Sequence, residues 1–192
     1  YITQHTLNLT GGSEVGRYLV SFDYLDQPGL VKNTEYQRYS YRVNTDLNIG
    51  KMLKVSSDVT YRHVDRLWPE SLGSVQYDVW SMQPTSPVRY ENGDYRLDKQ
   101  NRNAISLMDL DVVGEDRYNM DVVYGQVKAD FEPIKDLVFT GMASLNGSWD
   151  RRKIHYKNYK YYNETGELVT QRNNPNLSLI HISEPTRRRG IS

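Results

Sequence analysis

Five aromatic residues, Trp68, Tyr77, Trp80, Tyr90 and Tyr95, fall in one stretch of the chain that shows no regular hydrophobic period. Rings of this kind among polar neighbours suit contact with a glycan, through a stacking face and a polar tip. They equally suit the small core of a folded loop or an interfacial girdle. Other residues offer less. His63 and Asp65 flank Val64, but two ligands at i and i+2 are too few for a metal ion. Ser, His and Asp all occur, without the glycine-flanked elbow that exposes a serine nucleophile. Gly11-Gly12 reads as a turn, because no strand–loop–helix surrounds it to cradle a phosphate. The chain has no Cys, which closes thiolate catalysis, disulfides and Cys-ligated metals. No catalytic residue, metal or cofactor is expected, and the chain reads as no enzyme.

The 192 residues carry 24 Lys or Arg and 24 Asp or Glu, a formal net charge of zero. A general nucleic-acid binder is expected to be basic, so no nucleic-acid partner is expected. The run from Arg151 to Lys160, with interleaved Tyr, could stack on single-stranded nucleic acid; it reads instead as a solvated loop or strand end. A mean hydropathy of −0.73 and the lack of a long apolar run exclude a transmembrane helix, which needs roughly 20 apolar residues. Of the aromatic residues, 16 are Tyr, against 3 Phe and 3 Trp, a bias that favours strands and membrane–water interfaces. With hydrophobic residues at 38%, a soluble domain of this length would lack its usual aliphatic core.

The elements that must position the aromatic residues are strands. Alternation at period 2 dominates the chain. Leu7 and Leu9 oppose Thr6, Asn8 and Thr10; Tyr18, Val20, Phe22 and Tyr24 oppose Ser21 and Asp23. The clearest pair runs from Tyr36 to Asn48 and from Leu53 to Arg62 around a reversal at Ile49-Gly-Lys-Met52. Alternation stops over 64–117, where 71–82 is compatible with a helix and Asn92-Gly-Asp94 with a hairpin turn. It returns from Tyr118 to Glu132, with a phase slip at Val122-Val123 that predicts a bulge. A further strand reaches Trp149 after a turn at Pro133-Ile-Lys-Asp136. Nothing from Leu179 onward continues a pattern.

Connections between these strands alternate short and long. An antiparallel sheet trimmed at one end and elaborated at the other describes a transmembrane β-barrel, whose strands need about 9–11 residues. The apolar stripes would face lipid and the polar stripes a wet lumen. A soluble or secreted carbohydrate-binding β-sandwich shares the alternation; it differs in burying one face of each sheet. The chain opens mid-pattern without a signal peptide, so an internal fragment of a longer protein is expected.

Several motifs then add a resemblance. Leu9-Thr-Gly-Gly-Ser-Glu14, Arg17-Tyr-Leu-Val-Ser21, Tyr24-Leu-Asp-Gln-Pro-Gly-Leu-Val-Lys-Asn33 and Arg38-Tyr-Ser-Tyr-Arg-Val-Asn44 follow one another in the order seen in the SusC-like (SusC/RagA) TonB-dependent outer-membrane transporters. Met82-Gln-Pro-Thr-Ser-Pro-Val88 resembles a loop of that family, and Phe131-Glu-Pro-Ile-Lys-Asp-Leu137 its recurring periplasmic turn. Pro28 departs from the pattern, at a position where an acidic residue is common. The resemblance implies an incomplete antiparallel transmembrane β-barrel over 1–178, with 64–117 an extracellular loop, taken from a plugged barrel of about 22 strands. It implies import of oligosaccharides or peptides across the bacterial outer membrane, with a SusD-like surface lipoprotein, the TonB complex (through a plug region absent here) and outer-membrane lipid as partners. Trp68, Tyr77, Trp80, Tyr90 and Tyr95 are then the expected substrate contacts. The end, Ser178-Leu-Ile-His-Ile-Ser-Glu-Pro-Thr186 with Arg187 to Arg189, resembles translated sequencing-adapter read-through, so 179–192 is expected to be a non-native tail.

Overall fold

The computed structural model describes residues 1–82, 84–85, 87–97, 103–163, 165, 167–172 and 178–183. Strands β1 (Thr3–Gly12), β2 (Gly16–Pro28), β3 (Glu35–Ile49), β4 (Leu53–Pro69), β5 (Gly114–Ile134) and β6 (Leu137–Tyr156) follow one another as an antiparallel meander. A last strand, β9 (Ser178–Ser183), pairs with β6 and completes a seven-stranded sheet; β7 (Tyr159–Tyr162) and β8 (Leu168–Arg172) form a separate hairpin. Between β4 and β5 lie helix α1 (Leu72–Ser81), a 3-10 turn (Ser106–Met108) and the short helix α2 (Leu110–Val113).

The register aligns the alternating stripes of all six long strands. Leu9, Val20, Val43, Val59, Gly125 and Leu145 form one continuous row across the sheet. Because side chains two apart share a face, this places every apolar stripe on one side. None of the described residues covers that side. Leu9 is 58% exposed and Leu145 64%, where a β-sandwich would bury both beneath a second sheet. Among the described residues no second sheet lies across it. The opposite face carries hydrogen-bonded polar ladders, including Arg42 to Asp58 at 2.7 Å, Ser56 to Asp46 at 2.6 Å, and Gln4, Thr6 and Arg38 on Asp23 at 2.8, 2.9 and 2.9 Å.

The apolar belt has edges. At one end it starts with Ile49, Leu53, Phe131 and Phe139 in one row. At the other it stops in an aromatic girdle, His5, Tyr24, Tyr39 and His63, whose neighbouring ring centroids are 6.4, 4.9 and 6.3 Å apart. Leu53 and His63 are ten residues apart on β4, which at about 3.3 Å per residue and a tilt of about 40° spans about 25 Å across a bilayer. That matches the apolar band of an outer-membrane barrel. Asp121, at girdle height on the same face, accepts from Tyr61 at 2.6 Å and contacts His63 Nδ1 at 2.7 Å, so its carboxylate is satisfied there.

Short and long connections segregate as the sequence predicts. The turns at 13–15, 50–52 and 135–136 lie at one end; Gly50 (φ 66°) and Asp136 (φ 70°) take the left-handed backbone that such reversals demand. Residues 29–34 and the described parts of 70–113 and 157–172 lie at the other.

Three expectations need correction. The long connection is 70–113, not 64–117, because β4 and β5 run on beyond the girdle. There Val64 and Pro69 on β4 and Asp116 on β5 are buried and Asp65 to Trp68 half-buried, so neither face repeats an oily and a wet side and the strand continues while its alternation disappears. The bulge expected at Val122-Val123 is absent: register is unbroken there, and the only shift in this pair lies between Phe131 and Ile134. Val123 belongs to the apolar row and Val122 to the polar face opposite Arg62, so the apparent slip is one apolar residue on the lumen-type side. Finally, Ser178–Ser183 forms a strand where no element was expected; residues 184–192 of the expected tail lie outside the described residues.

Candidate functional site

The buried apolar side chains among the described residues are Val64, Val75, Leu97, Ala104, Val113 and Tyr161. All sit at the long-connection end, so the sheet itself has no core and the connections have one. Their hydrogen bonds join the three segments into a single cap. Asn33 (φ 62°) donates from Nδ2 to the Met108 carbonyl at 2.7 Å. The Lys157 N–H donates to the Val113 carbonyl at 3.1 Å, and Lys157 Nζ reaches Asp111 at 2.8 Å. Ser106, fully buried, shares a hydrogen bond with the Tyr161 hydroxyl and also donates to the Asn103 carbonyl at 2.8 Å. Burial pushes the Tyr161 phenol up to about 12, so it stays a neutral donor.

Asp109 is the polar centre of this cap. Its side chain caps α2 by accepting from the Asp111 N–H at 2.9 Å, and it accepts from the Tyr95 hydroxyl at 2.6 Å. The Tyr95 hydrogen bond holds the Asp109 carboxyl below its ordinary value of 3.8, against an opposing contribution from burial. Burial, then the bond to Asp109, raises Tyr95. A carboxyl depressed on folding stabilises above its unfolded pKa and loses that contribution as pH falls through the folded value. The cap is therefore expected to resist limited proteolysis at pH 5 and above and to loosen as pH drops below 3.8. Asp109→Ala in the full-length parent should remove about 1–2 kcal/mol of local stability and abolish that acid step. Unchanged cleavage rates between Arg89 and Asp111 would contradict this role.

The five expected contact residues do not converge. Tyr90 and Tyr95 sit on a hairpin closed by the Arg89–Tyr95 bridge around Gly93. There Arg89 lies over the Tyr95 ring at 3.7 Å and Arg96 over Tyr90 at 5.8 Å. Tyr95, with its hydroxyl on Asp109, packs the cap. Tyr77 and Trp80 stand on α1, 61% and 79% exposed. Trp68 is not in a loop at all but on β4, on the polar face, beneath the Arg66 guanidinium at 3.7 Å. Sequence reasoning missed Arg66 and its second ring, Tyr118, at 4.9 Å. The i, i+2 spacing of Arg66 and Trp68 was a visible cue, since it places both on one strand face.

Two comparisons bear on this geometry. Over 90 residues the chain is 32% identical to the TonB-dependent receptor P26 of Formosa agariphila, a match covering 46% of this chain and 9% of that protein. In fold it matches a chain in the structure of the RagAB peptide importer in its 'closed-closed' state, with a TM-score of 0.66 and 21% identity over 81% of this chain and 18% of that one. The segment is similar in sequence to part of a TonB-dependent receptor and in fold to part of a chain of the RagAB importer. No family model matches it. The chain spans a small share of the length of either relative. Its open, uncovered sheet is a β-barrel wall, and its cap crowns the elaborated end of that wall.

Proposed function

We propose that this chain is part of the wall and outer loops of a TonB-dependent outer-membrane importer of oligosaccharides or peptides. The observation that carries this reading is the uncovered apolar belt, about 25 Å tall and ended by a tyrosine–histidine girdle. A face of that height and composition is stable against hydrocarbon and not against water. The polar face then lines the lumen, and the 29–34, 70–113 and 157–177 segments lie outside the cell.

In this reading a SusD-like surface lipoprotein closes over the cap, and the TonB complex acts through a plug that belongs to the rest of the protein. Trp80 and Tyr77 offer exposed rings to the substrate or the lipoprotein. Trp68 and Tyr90 meet the substrate nearer the lumen, and Tyr95 positions the loop that carries them. Every step is binding or displacement, and none requires bond chemistry from this chain.

The full-length parent is expected in the detergent-requiring outer-membrane fraction, and its deletion should abolish growth on the imported nutrient while sparing growth on glucose. Recovery in the soluble periplasmic fraction would overturn the reading.

A further inference from the structure

On the polar face, just below the cap, the structure holds a cation stacked on two aromatic rings. Arg66 and Tyr118 are register partners across β4 and β5, and Trp68 follows two residues on, on the same face. The guanidinium carbon lies 3.7 Å from the Trp68 ring centroid and 4.9 Å from that of Tyr118. Two ring contacts fix the plane of the fork, so the group is oriented before anything binds. Its Nε is buried with no hydrogen-bond partner, and among the described residues no carboxylate pairs with it.

The acids of the same face are already engaged. Asp116, opposite Trp68 in register and 5% exposed, is gripped by Arg152 through Nε at 2.9 Å and Nη2 at 2.6 Å. Asp23 is held by Arg38 at 2.9 Å. Arg62, four residues down β4 on the same face, has no carboxylate partner among the described residues and extends the positive stripe. Beside Trp68 opens a cavity of about 280 Å³ that Gln27, Thr34, Glu35 and Tyr36 also line. Glu35 is the one acid on that rim, and it faces the cavity from the end of β3.

A planar guanidinium stacked on two rings, with Asp116 across the ladder already paired to Arg152, matches one ligand chemistry above others: a carboxylate approaching the fork as a bidentate acceptor. We propose that Arg66, held by Trp68 and Tyr118, anchors a carboxylate of the transported molecule, so that the substrate is acidic. This rests on the import reading above. The carboxylate has two sources, a uronate-containing oligosaccharide or an acidic peptide, and the Arg66 geometry serves either.

The test uses the full-length parent purified in detergent with its lipoprotein partner. Four probes are titrated calorimetrically: hexagalacturonate, its methyl ester, hexaglutamate and hexaglutamine. One acidic probe should bind roughly tenfold or more tightly than its neutral counterpart, and the preference should shrink as salt rises. Which acid is preferred names the source. Arg66→Gln should erase the preference while leaving neutral-probe binding unchanged, and Arg66→Lys, which keeps charge but loses the flat fork, should retain only part of it. If Arg66→Gln does not reach the folded, heat-modifiable form, the wild-type comparison and Arg66→Lys still decide. Absence of any acid preference in the wild type, or its survival in Arg66→Gln, overturns the proposal. A parent found outside the outer membrane would sink the import reading itself; a parent located there that ignores charge would sink this inference alone.

Discussion

Purified without detergent, the 192-residue chain by itself is expected to show no cooperative thermal unfolding. Its accessible surface is 13934 Å², whereas a compact monomer of 22.4 kDa exposes about 9,400 Å². The excess comes largely from a sheet face that meets no protein. Leu7, Leu9, Phe139 and Leu145 are each more than half exposed, and apolar surface left in water contributes nothing to folding at the usual ~25 cal/mol per Å². β1 also presents an unpaired edge, which in water invites association between copies. The expected outcome is a broad, featureless melt with concentration-dependent aggregation. A sharp, reversible transition from a monomer would show that the apolar face is covered in solution, and the barrel reading would fail with it.

The second large effect separates the two faces of one strand. In the full-length parent folded into phospholipid vesicles, Leu145→Arg should destabilise by about 2–4 kcal/mol, since it places a cation near the middle of the lipid-facing belt. Ser144→Arg, one residue earlier, points to the polar face beside Gln126 and should change stability by no more than about 0.5–1 kcal/mol. Urea unfolding followed by the heat-modifiable band measures both. Equal effects, or the reverse order, would mean that the faces are assigned the wrong way round. The comparison is demanding because the introduced group and the neighbouring backbone are the same for both substitutions. Only the direction of the side chain differs.

The strand order could be read from the residues. Each long strand alternates within the membrane-spanning part, because there one face meets hydrocarbon and the other water. Turn residues such as Gly50 and Asp136 mark the reversals through the backbone they must adopt. Helix α1 was also legible, at 71–82 against the observed Leu72–Ser81. Past the girdle that logic lapsed. Val64 to Pro69 and Gly114 to Arg117 are strand, yet with polar and apolar residues alike buried there no period distinguishes them from a connection. Trp68 was accordingly assigned to a loop when it stands on β4.

What the residues determined alone was a sheet with one oily and one wet face, trimmed at one end. That follows from a repeat of two, which is local. What only the tertiary structure decided was how the outer end is built. Ser106 meets Tyr161 across 55 positions, Asn33 meets Met108 across 75, and Arg152 meets Asp116 across 36. No local period encodes such contacts. They form because the register of six strands delivers distant segments to one rim, where burying a few side chains together leaves their polar atoms no partners but each other.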